Sequence, residues 1–399
     1  MNSNKLLLLL TAITICISTM QAQTETLKIV PINMRENSPV KLSEITDEIK
    51  KISLELTNES LIGSIERVIY KDNQLIIIEG KTQKVMLFDL QGKYIRQIGS
   101  KGQGPGEYTE VISEFWDEKR EQICLWSHPN YMFYNLDGTL SHKINRDEHP
   151  FYPSIVCDDY HVSYVNNKTG NETKRLIIQD SIGVIVDSIP NFRTWEKTRN
   201  TTGVRYLREA KFHVFRNELY YKDMYSDTLY HINNHTLQPR YIFDVGGLTV
   251  PYQMHSWSKE EMYGIPKGEN RYEKYVVVEK LLEDANNLFF IFDYKNKRYP
   301  AIYEKKEDIL QIMSPITISP QERGREWLYP LYGFKNDLDG GLLFWPEQMI
   351  LEKEMMCVYT AEELLKLDIS KVTNVKLKNV LNNIQEDNNP IVAIVTLKK

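Results

Sequence analysis

The chain has 399 residues, 42% of them hydrophobic and 26% charged, which is the ordinary composition of a globular protein. Its 49 Lys and Arg residues against 54 Asp and Glu give a formal net charge of −5. That balance offers no basic surface for nucleic acid or for an anionic membrane. Beyond Cys16 in the N-terminal apolar run, the chain has only Cys124, Cys157 and Cys357, an odd and sparse set that cannot form a disulfide framework, and no C-x-x-C pair indicates a zinc site.

The N-terminus has the layout of a secretory signal peptide. Lys5 precedes an apolar run over residues 6–17, and small and polar residues then lead to Ala22. We expect residues 1–22 to be the leader and the protein to be exported to the periplasm or the cell surface. The alternative is a lipoprotein anchored through Cys16, which Ile15 in front of it disfavours. No later segment reaches about 18 uninterrupted apolar residues, so we expect no transmembrane segment in the mature chain.

A repeat dominates the chain after the leader. KVMLFDLQGKYIRQIG (84–99), NYMFYNLDGTLSHKI (130–144) and KRLIIQDSIGVIVDSI (174–189) each place a short Asp/Gly turn between two apolar runs. Gly92, Gly138 and Gly183 align at separations of 46 and 45 residues. Weaker copies carry Asn234 and Asn296 in place of the glycine. Each copy predicts a β-hairpin, because such turns need positive φ.

Another short apolar run precedes each hairpin, so one period holds about four strands, which is typical of a β-propeller blade. Five copies and a final region predict an all-β, six-bladed β-propeller over residues 45–399, after a lead-in segment at 23–44. We expect strands at 50–57 and 390–399 to share one blade and close the ring. Helices are predicted at 360–367 and 373–387, as a short insertion before the C-terminal closing strand. The pattern at 274–287 predicts a further helix on the rim.

The glycine-rich stretch GSKGQGPGEY (99–108) raises the question of a phosphate site. Gly102 and Gly104 start a dinucleotide-type pattern, but Glu107 stands where its third glycine belongs. Pro105 stands where a P-loop has lysine, and no helix pattern follows. We therefore interpret Gly102, Gly104 and Gly106 as part of a tight link from the outer strand of one blade to the inner strand of the next.

The stretch VMLFDLQGKYIRQIGSKGQGPGEY (85–108) resembles the blade signature of a six-bladed β-propeller family common in secreted Bacteroidota proteins and akin to NHL-repeat propellers. The segments 52–78, 225–232, 336–346 and 382–399 match this family too, so the resemblance covers the chain from about residue 40 to its end. It implies the fold and a periplasmic or cell-surface address. The family is largely uncharacterised, so the resemblance implies no reaction and no catalytic residues.

The acid-glycine segment NDLDGG (336–341) raises the question of calcium. An EF-hand loop starting at Asp337 would need glutamate at its twelfth position, where Gln348 stands. We interpret the segment as a turn that opens a strand, and expect no cofactor. A structural calcium ion remains the alternative, with Asp337 and Asp339 as its candidate ligands.

Four residues are candidate ligand contacts. His213 lies in a predicted inner strand near the central channel, where a histidine could serve as base or metal ligand, although a packed histidine is the plainer interpretation. Trp195 and Trp257 stand in polar, loop-like contexts where rings can stack on sugars. Arg208 belongs to a locally basic loop beside Trp195.

The sequence has no G-x-S-x-G elbow of nucleophilic serine catalysis, and the paired carboxylates of a glycosidase are identified by geometry and not by sequence. The sequence therefore predicts an exported, non-catalytic binding or scaffold propeller that acts as a monomer. It would recognise a glycan, a peptide or an envelope protein at one face of the disc. The alternative is a polysaccharide lyase or glycan hydrolase, with His and Asp residues from several blades at the central channel.

Overall fold

The molecule is a six-bladed β-propeller, seen here in a computed structural model. The structure describes residues 27–33, 39–145, 154–157, 159–203, 209–258, 270–318, 332–350 and 352–398. The predicted leader and Arg208 lie outside these ranges.

Each blade has four antiparallel strands ordered from the inside of the ring to its outside. In blades 1 to 5 these four strands are consecutive in the chain, and the first of them lies innermost. The strands up to the end of blade 2 are β1 (Lys28–Pro31), β2 (Thr46–Ser53), β3 (Ile65–Lys71), β4 (Gln74–Glu79), β5 (Val85–Asp89), β6 (Tyr94–Gln97), β7 (Ser113–Asp117), β8 (Gln122–Ser127), β9 (Asn130–Tyr134) and β10 (Leu140–Asn145). Blade 1 consists of β3 to β6, and blade 2 of β7 to β10.

Blades 3 and 4 follow, with one short extra strand. They contain β11 (Ser154–Cys157), β12 (Tyr160–Tyr164), β13 (Lys174–Gln179), β14 (Ile185–Pro190), β15 (Thr201–Gly203), β16 (Ala210–Phe215), β17 (Glu218–Asp223), β18 (Thr228–Asn233) and β19 (Thr236–Asp244). Blade 3 consists of β11 to β14 and blade 4 of β16 to β19, while β15 belongs to neither.

Blades 5 and 6 complete the ring. Their elements are β20 (Ser256–Ser258), β21 (Val277–Glu283), β22 (Asn287–Tyr294), β23 (Lys297–Glu304), β24 (Ile309–Ile312), β25 (Ile316–Thr317), β26 (Gln348–Ile350), β27 (Glu354–Tyr359), α1 (Ala361–Leu365), α2 (Val375–Asn383) and β28 (Ile391–Leu397). Blade 5 consists of β21 to β25. Short 3-10 turns lie at Leu42–Glu44, Tyr252–His255 and Ile369–Lys371.

Strand β2, from the N-terminal part of the chain, shares blade 6 with the C-terminal strand β28, as the sequence predicts. Its strand order is β26, β27, β28 and then β2, which forms the outer edge. Ser53 pairs with Ile391 and Lys50 with Ile394 in antiparallel register. This pairing closes the ring and removes the edges that an open array of blades would expose.

The hairpin turns explain the glycine repeat. Gly92, Gly138 and Gly183 all have φ between +83° and +91°, in the region that favours glycine, and each joins the third strand of a blade to the fourth. Blade 4 uses Asn234 and His235 in the same place, with φ of 46° and 59°. These turns fix the register of the outer strand in four successive blades.

Two local predictions are wrong. Asn296 lies in the turn between β22 and β23, the second and third strands of blade 5, so the fifth copy is out of phase with the other four. The segment 274–287 contains β21, the inner strand of blade 5, and not a helix. Its helix-like pattern arises because Leu281 and Leu282 face two different neighbouring blades. The helical insertion at α1 and α2 is confirmed.

The lead-in segment is part of the folded body. Strand β1 adds to β19 in parallel as a fifth strand of blade 4, with Val30 opposite Phe243. Residues 39–45 then contact blade 6, where Leu42 donates its backbone N–H to the Lys335 carbonyl oxygen at 2.8 Å. The segment thus fastens blade 4 to the blade that closes the ring.

Hydrophobic side chains fill the wedges between blades. One cluster between blades 6 and 1 includes Ile52, Phe88 and Met356, and another between blades 1 and 2 includes Ile76 and Tyr134. Comparable clusters lie between blades 3 and 4, 4 and 5, and 5 and 6. The core is therefore distributed around the ring and not concentrated at one centre.

The glycine-rich stretch is a link between blades 1 and 2. Glu107 turns back onto it, where its carboxylate accepts the Gly104 backbone N–H at 2.8 Å and the Ser100 hydroxyl at 3.2 Å. A Cβ on Gly102 would lie 1.9 Å from a Glu107 oxygen. A carboxylate therefore occupies the space where a bound phosphate would have to sit, and Tyr108 is fully buried beside it.

Gly92 gives a test of the repeat. A Cβ there would lie 2.0 Å from the Ser53 carbonyl oxygen, in a left-handed conformation. We expect Gly92→Ala to lower the free energy of unfolding by about 3 kcal/mol in urea denaturation. In the control Gly106→Ala, the nearest atom lies 4.0 Å away, and we expect little change. Equal losses in the two variants would contradict this account.

Candidate functional site

The two faces of the disc differ in what they carry. We call the loop face the one with the connections between blades and between the second and third strands of a blade. It includes the described parts of two interblade connections, 191–203 and 209 in one and 245–258 and 270–276 in the other, and the insertion with α1 and α2. The opposite face, which we call the turn face, carries mostly tight turns. Long loops on a rigid scaffold are where binding surfaces usually lie, so the loop face is the first place to look for a site.

Charged side chains ring the mouth of the central channel at the loop face. They lie at the starts of the inner strands, which neighbour one another around the ring. Arg67 of blade 1 has its Nε 3.3 Å from a Glu114 oxygen of blade 2. Lys211 of blade 4 has its Nζ 3.4 Å from a Glu279 oxygen of blade 5. Ion pairs therefore join blade 1 to blade 2 and blade 4 to blade 5, in both cases near the start of the inner strands.

Glu347 of blade 6 connects these two pairs. Lys280 of blade 5 and Arg67 of blade 1 both interact electrostatically with its carboxyl group. Burial raises the pKa of Glu347, and the two cations offset that effect only in part. A carboxyl group with a raised pKa inside a channel is a recognised mark of a functional site, although structural ion pairs give the same signal.

Together these side chains form what we call the charge belt. In order around the mouth, the charges alternate from Lys211, Glu279 and Lys280 to Glu347, Arg67 and Glu114. Blade 3 interrupts the belt, since its inner strand has the sequence SIVC. The belt includes none of the residues that the sequence singles out, because its charges come from five blades and, apart from the adjacent Glu279 and Lys280, lie more than 40 residues apart in the sequence.

Two interblade connections form a cap on the loop face. Strand β15 from the first pairs with β20 from the second, which places Thr202 opposite Trp257. Trp257 is half-buried, with the Arg271 guanidinium carbon 4.9 Å from the centre of its ring. Trp195 is 6% exposed, and its indole N–H donates to the Asn167 carbonyl oxygen at 2.7 Å. Trp195 therefore anchors the cap and presents little of its ring to solvent.

A buried polar network holds this cap to blades 3 and 4. The Asp223 carboxylate accepts Arg175 at 2.6 Å and Arg193 at 2.7 Å. Burial opposes its ionisation, but the two guanidinium groups hold the pKa of Asp223 well below its usual range. Nearby, the Nε2 atom of His255 lies 2.5 Å from a Glu209 oxygen. Tyr164 and Asn166 also donate to the Glu209 carboxylate.

His213 lies on β16 at the boundary between blades 4 and 5. It is 10% exposed, with its Nε2 3.4 Å from a Glu283 oxygen and its ring stacked on Tyr220. Glu283 also accepts Arg240 at 2.8 Å and Lys305 at 2.7 Å. Burial opposes its ionisation, but these neighbours hold the pKa of Glu283 at about 2. His213 is therefore a member of a buried ion-pair cluster.

The two aspartates of NDLDGG both contact protein groups. Asp337 accepts the Ser43 hydroxyl at 2.6 Å and the Ser43 backbone N–H at 3.0 Å, so it helps to hold the lead-in segment. Asp339 is buried and pairs with Lys51 of the closing strand β2. Across the part of the chain that is described, no group of three or more His, Cys, Asp or Glu side chains is placed to hold a metal ion.

A cleft of about 240 Å³, open to solvent, lies on the turn face between blades 2 and 3. Asp117, Asp159 and Arg120 line it, and Arg120 lies 2.8 Å from Asp117 and 3.5 Å from Asp159. His142 stacks on Phe133, and burial, together with Arg120, lowers the pKa of His142. The charged groups here are paired with one another, so the cleft is a weaker candidate than the loop face.

The closed ring and its two faces define the protein as a six-bladed β-propeller. A family model described as a domain of unknown function (DUF4934) matches residues 26–396, and the chain belongs to that family. No curated protein matches the sequence. Within the described residues, no helix is long and apolar enough to cross a membrane.

Two solved structures from Bacteroides share the fold. One, described as an exported protein (BF0058), comes from Bacteroides fragilis, with a TM-score of 0.68 and 19% identity over 94% of this chain and 100% of that one. The other is a member of the duf4221 family from Bacteroides vulgatus, with a TM-score of 0.51 and 11% identity over 88% of this chain and 99% of that one. At these identities the likeness supports the fold, and it leaves the kinship to NHL repeats as an expectation.

The Glu283 cluster predicts a dependence of stability on acid pH. The unfolded pKa of a glutamate is about 4.3, so the stabilising effect of ionised Glu283 is complete above that pH. It is lost as the pH falls towards the folded pKa of about 2. The shift corresponds to about 3 kcal/mol in the free energy of unfolding. Urea denaturation between pH 7 and pH 2.5 measures it.

The variant Glu283→Gln tests whether Glu283, and not another carboxylate, causes the loss of stability in acid. It leaves Arg240 and Lys305 without their shared anion, so we expect lower stability than wild type at pH 7 and a weaker further loss in acid. The control Glu307→Gln removes an exposed carboxylate and should follow the wild-type curve. An acid slope that Glu283→Gln leaves unchanged would show that Glu283 is not the group responsible.

Proposed function

We propose that this chain is an exported, non-catalytic binding propeller that recognises its ligand over the channel mouth on the loop face. A glycan, a peptide and a partner protein of the envelope are the ligand classes that the sequence supports. The observation that carries the proposal is the shared location of the charge belt and the cap. The belt supplies donors and acceptors of both signs, and the cap adds Trp257 and Arg271 above a rigid base.

The pairing of the charged groups favours recognition over chemistry. The carboxyl groups of Glu209, Asp223 and Glu283 are buried, and each one contacts a basic side chain of the chain itself. Such groups fix loops and blades in place, and a rigid surface loses little conformational entropy when a ligand binds. Arg67 is largely exposed while its Nε lies 3.3 Å from a Glu114 oxygen, so a ligand can reach its guanidinium group.

A second candidate function is a polysaccharide lyase or glycan hydrolase. One observation favours it, namely the raised pKa of Glu347 inside the channel. A carboxyl group with a raised pKa keeps its proton to a higher pH than a free glutamate does, as a general acid requires. The acidic residues of the charge belt are glutamates, whereas the enzyme alternative from the sequence has His and Asp residues at the central channel.

A thermal-shift screen of residues 23–399 against oligosaccharides, polysaccharides and peptides tests the proposal, run with calcium and again with EDTA. Binding to the folded state raises the melting temperature. We expect Arg67→Ala and Lys280→Ala to abolish the shift that the ligand produces. The control Lys306→Ala alters an exposed cation beyond the belt and should keep it. A shift that survives both belt variants would place the ligand elsewhere.

Product analysis of the same mixtures separates the two functions. Intact ligand after prolonged incubation supports a binder. Cleavage products that disappear with Glu347→Gln would support the enzyme instead. A shift that depends on calcium alone would point to Asp337 and Asp339.

A further inference from the structure

The outer rim of blade 3 carries a strip of exposed apolar side chains. Ile182 and Val184 lie in the turn before β14, Ile185 and Val186 begin the strand, and Phe192 follows it. Their exposed fractions run from 43% at Ile185 to 88% at Phe192. Isolated exposed apolar residues are normal on a protein surface, whereas five within eleven residues along one edge are not.

Two other outer strands, β2 and β19, are protected in ways that β14 is not. Strand β2 carries Asp47, Glu48 and Lys50 along its length, and such charges discourage association at a sheet edge. The edge of β19 in blade 4 is covered by β1. No described strand covers β14, and its single charged residue is Asp187.

The Asp187 carboxylate is already hydrogen-bonded within the chain. It lies 2.9 Å from Nδ1 of His235 in blade 4. The Ser188 backbone N–H and His235 hold the pKa of Asp187 below its usual range. A partner that covers the strip would therefore meet a carboxylate that already has hydrogen-bond partners.

The backbone of β14 limits how a partner can bind. Val186 is the extra residue of a β-bulge, because Ile178 pairs with Asp187 while the next residue, Gln179, pairs with Ile185. Pro190 ends the strand. Bulges and prolines twist an edge away from further strand pairing. The contact therefore relies on packing of side chains and not on extension of the sheet.

We infer that this strip is the interface of a homodimer, in which a second copy of the chain packs its own strip against it. Five side chains with these exposures reach the upper part of the range for one apolar patch on a monomer, about 300–600 Å². Together with the surrounding surface of the rim, the exposed area of the strip approaches the ~800 Å² that each partner buries in a stable interface. A two-fold axis across the strip sets the Phe192 end of each copy against the Ile182 end of the other.

This inference is independent of the proposed ligand site, since the strip lies on the rim and the belt lies at the axis. It proposes a homodimer, whereas the sequence predicts a monomer. A different protein or a lipid surface could also cover apolar side chains, and the oligomeric state separates those cases from a second copy.

Sedimentation equilibrium of residues 23–399 across the micromolar range tests the inference. We expect a reversible dimer, with Ile182→Lys and Phe192→Lys each weakening it about tenfold or more. Both side chains are mostly exposed, so we expect the melting temperature of the monomer to stay the same. The control Ile309→Lys alters an exposed isoleucine on the outer strand of blade 5 and should leave the dimer intact.

Two results would overturn the inference. One is a monomeric mass for the wild type at every concentration. The other is a dimer that both strip variants leave unchanged, since the interface would then lie elsewhere. Loss of the dimer in Ile309→Lys as well would indicate a general effect of added charge and would also contradict it.

Discussion

Side-chain packing between blades is the interaction on which the rest of the structure depends. Each sheet satisfies its own backbone hydrogen bonds, and no described strand ladder joins one blade to its neighbour. What holds neighbours together is the apolar wedge between them, together with buried ion pairs such as Arg175 with Asp223. Hydrophobic burial gives this packing its strength, and the pairing of charges makes it specific to one neighbour.

The sequence predicts most of this fold because its turns are chemically distinctive. Gly92, Gly138 and Gly183 mark the same turn in three blades, and a positive φ explains why glycine is needed. The prediction fails at Asn296 because asparagine fits any tight hairpin, so it does not report which pair of strands the turn joins. It fails at β21 because an inner strand that touches two neighbouring blades has apolar residues on both sides.

The candidate site is harder to predict from the sequence than the fold is. The two loops with Trp195 and Trp257 meet through the pairing of β15 with β20, a contact that no sequence pattern predicts. The charge belt escapes prediction because Glu347 and Arg67 are 280 residues apart and meet only when blade 6 closes against blade 1. The sequence likewise gives no sign that Trp195 is buried, since the packing depends on Gly170, whose Cβ would lie 2.1 Å from the Trp195 carbonyl oxygen.

Ring closure through blade 6 also constrains when the protein can fold. Strand β2 begins at residue 46, yet its partner β28 ends at residue 397. Strand β2 can therefore pair with β28 only after the residues up to 397 have been synthesised. Contacts between residues so far apart in sequence form late in folding. A nascent chain that still lacks residues 391–397 keeps both ends of its array open. The sheet edges that ring closure removes therefore stay accessible until β28 is available to pair with β2.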